Sequence, residues 1–95
     1  MSTPIKYKIM SEEGPKQVSG YFGFSFAGLA FGIHRSAEGW NVSELSTGRK
    51  AGYIMSTFGK TKLAAERYLK RAGVTKVYEE VSRHKAINPE YQMIT

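Results

Sequence analysis

The chain of 95 residues contains no cysteine and no aspartate, and only two histidines. Without cysteine there are no disulfides and no thiolate metal sites to prop up a small core, which suits a reducing compartment. Because all eight acids are glutamate, the sequence offers no aspartate for a Walker-B metal site, an aspartyl nucleophile or an EF-hand loop. His34 and His84 stand 50 positions apart with no HExxH pattern, so a zinc site is not expected. Gly59-Lys60-Thr61 resembles the end of a phosphate-binding loop, but Ile54 occupies the place where the first glycine of that loop belongs,. No serine sits in a nucleophile elbow and no third group marks a triad. The sequence therefore predicts a protein that is not an enzyme and carries no cofactor and no metal.

Long apolar runs are also missing. The most apolar stretch, Tyr21 to Ile33, falls short of the roughly 18 residues that a membrane span needs. Met1 leads into the polar run STPIKYK, where a secretory leader would show a basic start and an apolar centre. A cytoplasmic protein without membrane attachment is expected. With 41% apolar residues, a chain of this length predicts one domain over residues 1–95 with one modest core.

What is abundant is positive charge, and it is unevenly placed. Residues 1–48 hold four Lys or Arg and four Glu, whereas residues 49–95 hold ten and four, which accounts for the entire net charge of +6. Between Arg49 and Lys76, eight cations face Glu66 alone. Such a patch favours a polyanion: nucleic acid, an acidic protein or an anionic lipid.

In chain order, Ile5, Tyr7 and Ile9 alternate with polar neighbours and predict a first strand. Ser11 to Pro15 predicts a turn, with Gly14 free to take positive φ. The glycine- and aromatic-rich run that follows predicts two strands, about 17–26 and 29–35, hinged near Ala27-Gly28. Leu29, Phe31 and Ile33 then share one face, with Ala30, Gly32 and His34 on the other. The phenylalanines are expected in the core and His34 on the surface. After a turn at Ser36–Gly39, strands are expected at Trp40–Leu45 and Arg49–Met55, separated by a turn at Ser46–Gly48.

A helix is expected at about 61–72, capped by Thr61 and closed by Gly73. Thr61, Ala65, Tyr68, Leu69 and Ala72 fall on one stripe, with Glu66, Arg67, Lys70 and Arg71 outside it. Val74, Val77, Tyr78 and Val81 recur at helical spacing and predict a second helix, roughly 75–85, with a terminal strand as the alternative. Asn88-Pro89 stops any helix, and 89–95 is expected to be a flexible tail. The fold class is α+β: an antiparallel sheet of three to five strands packed on one amphipathic helix, with a second short helix after it. Trp40, Tyr53, Phe58, Tyr68 and Leu69 are expected near its core.

A helix-turn-helix drawn over Ala65 to Arg83 fails, because Leu69 would occupy a position that needs a small residue, and Glu79 and Arg83 would occupy apolar ones. Gly32-Ile-His-Arg35, Gly39-Trp-Asn-Val-Ser-Glu-Leu45, Ser56-Thr-Phe58 and Ala64-Ala-Glu-Arg-Tyr68 resemble the AP2-type domain. Phe58 with Thr61-Lys62 and Ala65-Glu66 is similar to the related arm-binding domain of phage integrases. The resemblance covers about residues 29–73. It implies a three-stranded sheet laid in the DNA major groove with a helix behind it. The positions that plant members fill with arginine fall near His34, Ser43, Gly52 and Ile54.

Two functions follow as expectations. The first is a non-catalytic nucleic-acid-binding protein, with DNA the expected polymer and RNA the alternative. Arg35, Arg49, Lys50, Lys60, Lys62, Arg67, Lys70 and Arg71 would meet phosphates, and His34, Asn41 and Ser43 would reach base edges. The second is a small inhibitor or adaptor that docks on an acidic protein surface through the same patch or through an open strand edge. Either role would suit a small basic protein encoded by a phage or mobile element.

Overall fold

Two short hairpins built on the same four-residue pattern, Ser-x-Glu-Gly, set up the sheet. A computed structural model describes residues 2–91. β1 (Pro4–Ser11) turns into β2 (Gly14–Phe26), and β3 (Leu29–Ser36) turns into β4 (Gly39–Glu44). In the first turn the Ser11 hydroxyl donates to the Gly14 carbonyl at 2.6 Å and accepts from the Glu13 amide. Ser36 makes the same two contacts to Gly39 and Glu38. Between these hairpins, Ala27 and Gly28 both take positive φ, 56° and 78°, and β2 folds back onto β3 with Phe26 opposite Leu29. The result is a four-stranded antiparallel sheet in the order β1-β2-β3-β4.

The sheet changes face along β2. Its register with β3 shifts between Phe22 and Phe24, so Tyr21 before the bulge and Phe24 after it point to the same side. A Cβ on the intervening Gly23 would come within 2.8 Å of the Ile33 side chain, which is why the bulge needs a glycine. On this side Phe24 stacks on Phe31 at 5.0 Å, and Leu29, Ile33 and Val42 complete a buried apolar surface.

Two helices cover that surface: α1 (Phe58–Ala72) and α2 (Val74–Ser82). α1 begins three residues earlier than expected. Its cap is Thr57, whose hydroxyl accepts from the Lys60 amide, and not Thr61. Thr61 lies fully buried one turn inside the helix, its hydroxyl directed at the Trp40 carbonyl, 3.4 Å away. Thr61, Ala65 and Leu69 form the buried stripe. Phe58, at the first turn, packs edge-on against both Trp40 (5.5 Å) and Tyr21 (5.9 Å). Gly73, at φ 92°, ends α1 with its amide donating to the Leu69 carbonyl, and α2 follows at once, burying Val77. α2 is shorter than the expected 75–85. Pro89–Tyr91 form one 3-10 turn, and residues 92–95 of the expected tail lie outside the described residues.

The expected strand at 49–55 does not form. Only two isolated bridges remain, Ser43 to Lys50 and Trp40 to Met55. Between them Gly52, at φ 79°, carries the chain over α1, where a Cβ would lie 3.2 Å from the Ala65 Cα. A strand cannot pass through that conformation. The same detour takes Tyr53 out of the expected core: it is 61% exposed, and Tyr68 at the edge of the helical stripe is 43% exposed.

The sheet also curls. The outer edge of β1 meets the turn after β4, with the Met10 amide donating to the Gly48 carbonyl at 2.9 Å. The Asn88 side chain links Lys8 of β1, through both its amide and its carbonyl, to the Leu45 carbonyl. Tyr7, Gly20, Gly32 and Leu45 fill the inside of the curl, where a Cβ on Gly32 would come within 2.9 Å of the Tyr7 ring. Among the described residues no helix is long and apolar enough to cross a membrane.

Candidate nucleic-acid interface

The residues expected to bind nucleic acid fall into two sets on opposite sides of the sheet. The pairing of His34 with Asn41, and of Gly32 with Ser43, puts His34, Asn41 and Ser43 on the face turned away from α1. The cations of α1 lie on the far side, behind the helix's own buried stripe. The α1 cations do not meet His34, Asn41 and Ser43 in one surface, whereas Arg35 and Lys50 border the groove that these three line.

His34, Asn41 and Ser43 line a groove of about 690 Å³ at the end of the curled face, with Lys16, Arg35 and Lys50 beside them and Glu12 and Glu38 opposing those charges. His34 is buried at 8% exposure, contrary to its expected surface position, because β1 and β2 curl over it. Its Nδ1 and the neighbouring Tyr7 hydroxyl find no hydrogen-bond partner among the described residues, and the two rings meet edge-on at 6.3 Å. Burial, and then the nearby Lys16, hold the His34 imidazole below its ordinary pKa, so it is neutral at pH 7. Burial raises the Tyr7 pKa, with Tyr91 adding to the effect. Ser43 is buried, and the Asn41 amide group donates to the Ser36 hydroxyl at 2.8 Å.

The second set is arranged differently. Lys60, Arg67, Lys70 and Arg71 are exposed and recur on the face of α1 opposite Thr61, Ala65 and Leu69,. Lys62, on the flank, is half-buried. Arg49 and Lys50 are exposed on the loop that leaves β4. Among the described residues the close contacts between basic and acidic side chains are Arg83 with Glu80 and His84 with Glu80. None involves these cations. Lys70 and Arg71 sit in the last turn of α1, where the helix dipole favours positive charge.

A cleft of about 590 Å³ separates α1 and α2 from the loop after β4. Phe31, Leu69 and Val77 form its buried floor, and Arg49, Lys50, Lys76 and Tyr68 border it. Tyr68 was not among the sequence-derived site residues, and Lys76 entered only as the end of the basic run from Arg49. For Tyr68 the signal was its place at the margin of the helical stripe.

The sheet offers little open edge for strand pairing. β1 is occupied by Gly48 and Asn88, while the Trp40, Val42 and Glu44 backbones bond to Met55, Ala51 and Arg49. Among the described residues, no three His, Cys, Asp or Glu side chains gather where a metal ion could sit. In comparisons with known proteins, the chain matches no family model, no curated protein and no solved structure.

Proposed function

We propose that the protein is a non-catalytic nucleic-acid-binding protein, with DNA the expected polymer, and that it holds the phosphate backbone on the outer face of α1 and on the Arg49-Lys50 loop. One observation carries this reading: Lys60, Arg67, Lys70 and Arg71 stand exposed on one face of α1 without an acidic partner among the described residues. Cations used for folding are paired or buried along their stems. These are free to displace counterions from a phosphate chain, the main source of affinity in such complexes. The helix is anchored by Phe58, Ala65 and Leu69, so its charges are presented by a rigid element.

The AP2-like arrangement would place the other sheet face on DNA. That face holds buried Tyr7, Gly32 and Leu45, and so we assign the phosphate contacts to α1.

A second reading draws on Leu63, which is exposed in the middle of the same cationic face. An apolar residue ringed by cations suits an acidic, amphipathic protein partner. Capture of partners from lysate with and without nuclease separates the two. Loss of all partners on nuclease treatment supports the nucleic-acid reading, and retention of a protein partner supports the second.

A further inference from the structure

We infer that the nucleic acid held on this face is single-stranded, and that Tyr53 and Tyr68 form a platform on which its bases stack. The inference rests on the reading above and adds to it the class of strand and two new contact residues.

The aromatic side chains of this protein divide sharply. Phe24 and Phe31 stack in the core, and Tyr21, Trp40 and Phe58 pack on one another at the start of α1. Tyr53 and Tyr68 meet edge-on at 6.0 Å yet remain 61% and 43% exposed. A tyrosine pair left in water forgoes most of the gain that its burial would bring. The pair is also held in place. Gly52, at a φ of 79° that favours glycine, carries the loop close over Ala65, and this brings Tyr53 against Tyr68, three residues further along α1.

Charge flanks the platform on both sides. Tyr68 borders the cleft together with Arg49, Lys50 and Lys76, with Glu44 buried and Glu80 on the α2 side, and along α1 it lies between the exposed Arg67 and Arg71. Alternation of cations with open aromatic faces is the arrangement that binds unpaired strands, because phosphates meet the cations while bases stack on the rings. In a duplex the base faces are covered by neighbouring pairs, and such a platform gains nothing.

The test compares a fluorescently labelled oligothymidylate with a duplex of the same length, by anisotropy at about 50 mM salt. Wild type should bind the single strand more tightly. Tyr53→Ala and Tyr68→Ala should each weaken that binding about 5- to 100-fold, leave duplex affinity and the salt slope unchanged, and be matched by near-normal binding in Tyr53→Phe and Tyr68→Phe. A strand carrying 5-iodouracil should cross-link to Tyr53 or Tyr68 in the wild-type protein, which reads the contact even if an alanine variant fails to fold. Unchanged single-strand affinity in a folded double alanine variant, equal losses on duplex and single strand, or cross-links confined to other residues would overturn the stacking inference and leave phosphate binding by α1 intact. A platform that serves a protein partner would give the first of these results. Failure of wild type to bind either oligonucleotide would overturn both readings.

Discussion

The turn after β4 and the outer face of α1 use charge in opposite ways. Glu44 is 3% exposed, and its carboxylate accepts from the amides and hydroxyls of both Ser46 and Thr47 at 2.7 to 2.9 Å. One buried anion is thus answered by four donors and fixes the turn that closes the curled sheet against β1. On α1, Lys60, Arg67, Lys70 and Arg71 are answered by no acid among the described residues. The first arrangement shows charge used to hold the fold, with every oxygen occupied. The second shows charge that no acid among the described residues answers, and this difference directs attention to α1 as the binding surface.

The largest effect expected from breaking this contrast is at Glu44. Glu44→Ala strands four donors in a buried turn and should cost about 4 kcal/mol, since each unsatisfied buried group costs roughly 1 to 3 and water recovers part of it. Urea denaturation measures it. A cost below about 1 kcal/mol would show that the turn does not depend on its anion.

Next comes the inner face of the same helix that carries the cations. Leu69 is buried in the main cluster, so Leu69→Ala should cost about 2 to 5 kcal/mol. A change under about 0.5 kcal/mol would mean that inner and outer faces are not distinguished as described.

A gentler effect is expected at His34. Its pKa is lowered by burial and by Lys16, so as pH falls below the ordinary value of 6.5 the unfolded chain takes up a proton before the folded one does. Stability should therefore decline from about pH 6.5 downward. Lys16 on β2 is the cation that faces the imidazole, and Glu12 and Glu38 line the same groove. His34→Gln should flatten the decline, as read from urea midpoints between about pH 7 and 5. An identical pH profile in the variant would contradict the neutral, buried imidazole.

What the sequence discloses follows the range of the interaction. The two Ser-x-Glu-Gly hairpins, the alternation in β1 and β4 and the buried spacing of Ala65 and Leu69 are local, and each is visible within a few residues. The bulge at Gly23 can be read only once Ile33 is known to lie beside it. The strand expected at 49–55 does not form because Gly52, at φ 79°, turns the chain over Ala65, 13 positions later, a neighbour that the local pattern does not show. The closure of the sheet depends on Asn88 reaching Lys8 across 80 positions, which no periodicity records. Similarly, the cations of α1 were legible from composition and spacing, but their separation from His34, Asn41 and Ser43 was not. Which face each occupies is decided by the β3–β4 register and by the side of the sheet on which α1 packs.

The central claim, that the unpaired cations of α1 meet phosphates, is tested most directly by salt dependence. Log affinity for an oligonucleotide should fall linearly with log salt, by about 0.9 per phosphate neutralised on duplex and about 0.7 on a single strand. Lys70→Ala combined with Arg71→Ala lies outside the buried stripe and should change stability by at most about 0.5 kcal/mol, while flattening the slope by up to about 1.8 on duplex and 1.4 on a single strand. An unaltered slope in the folded double variant, or no binding by wild type at about 50 mM salt, would contradict the claim.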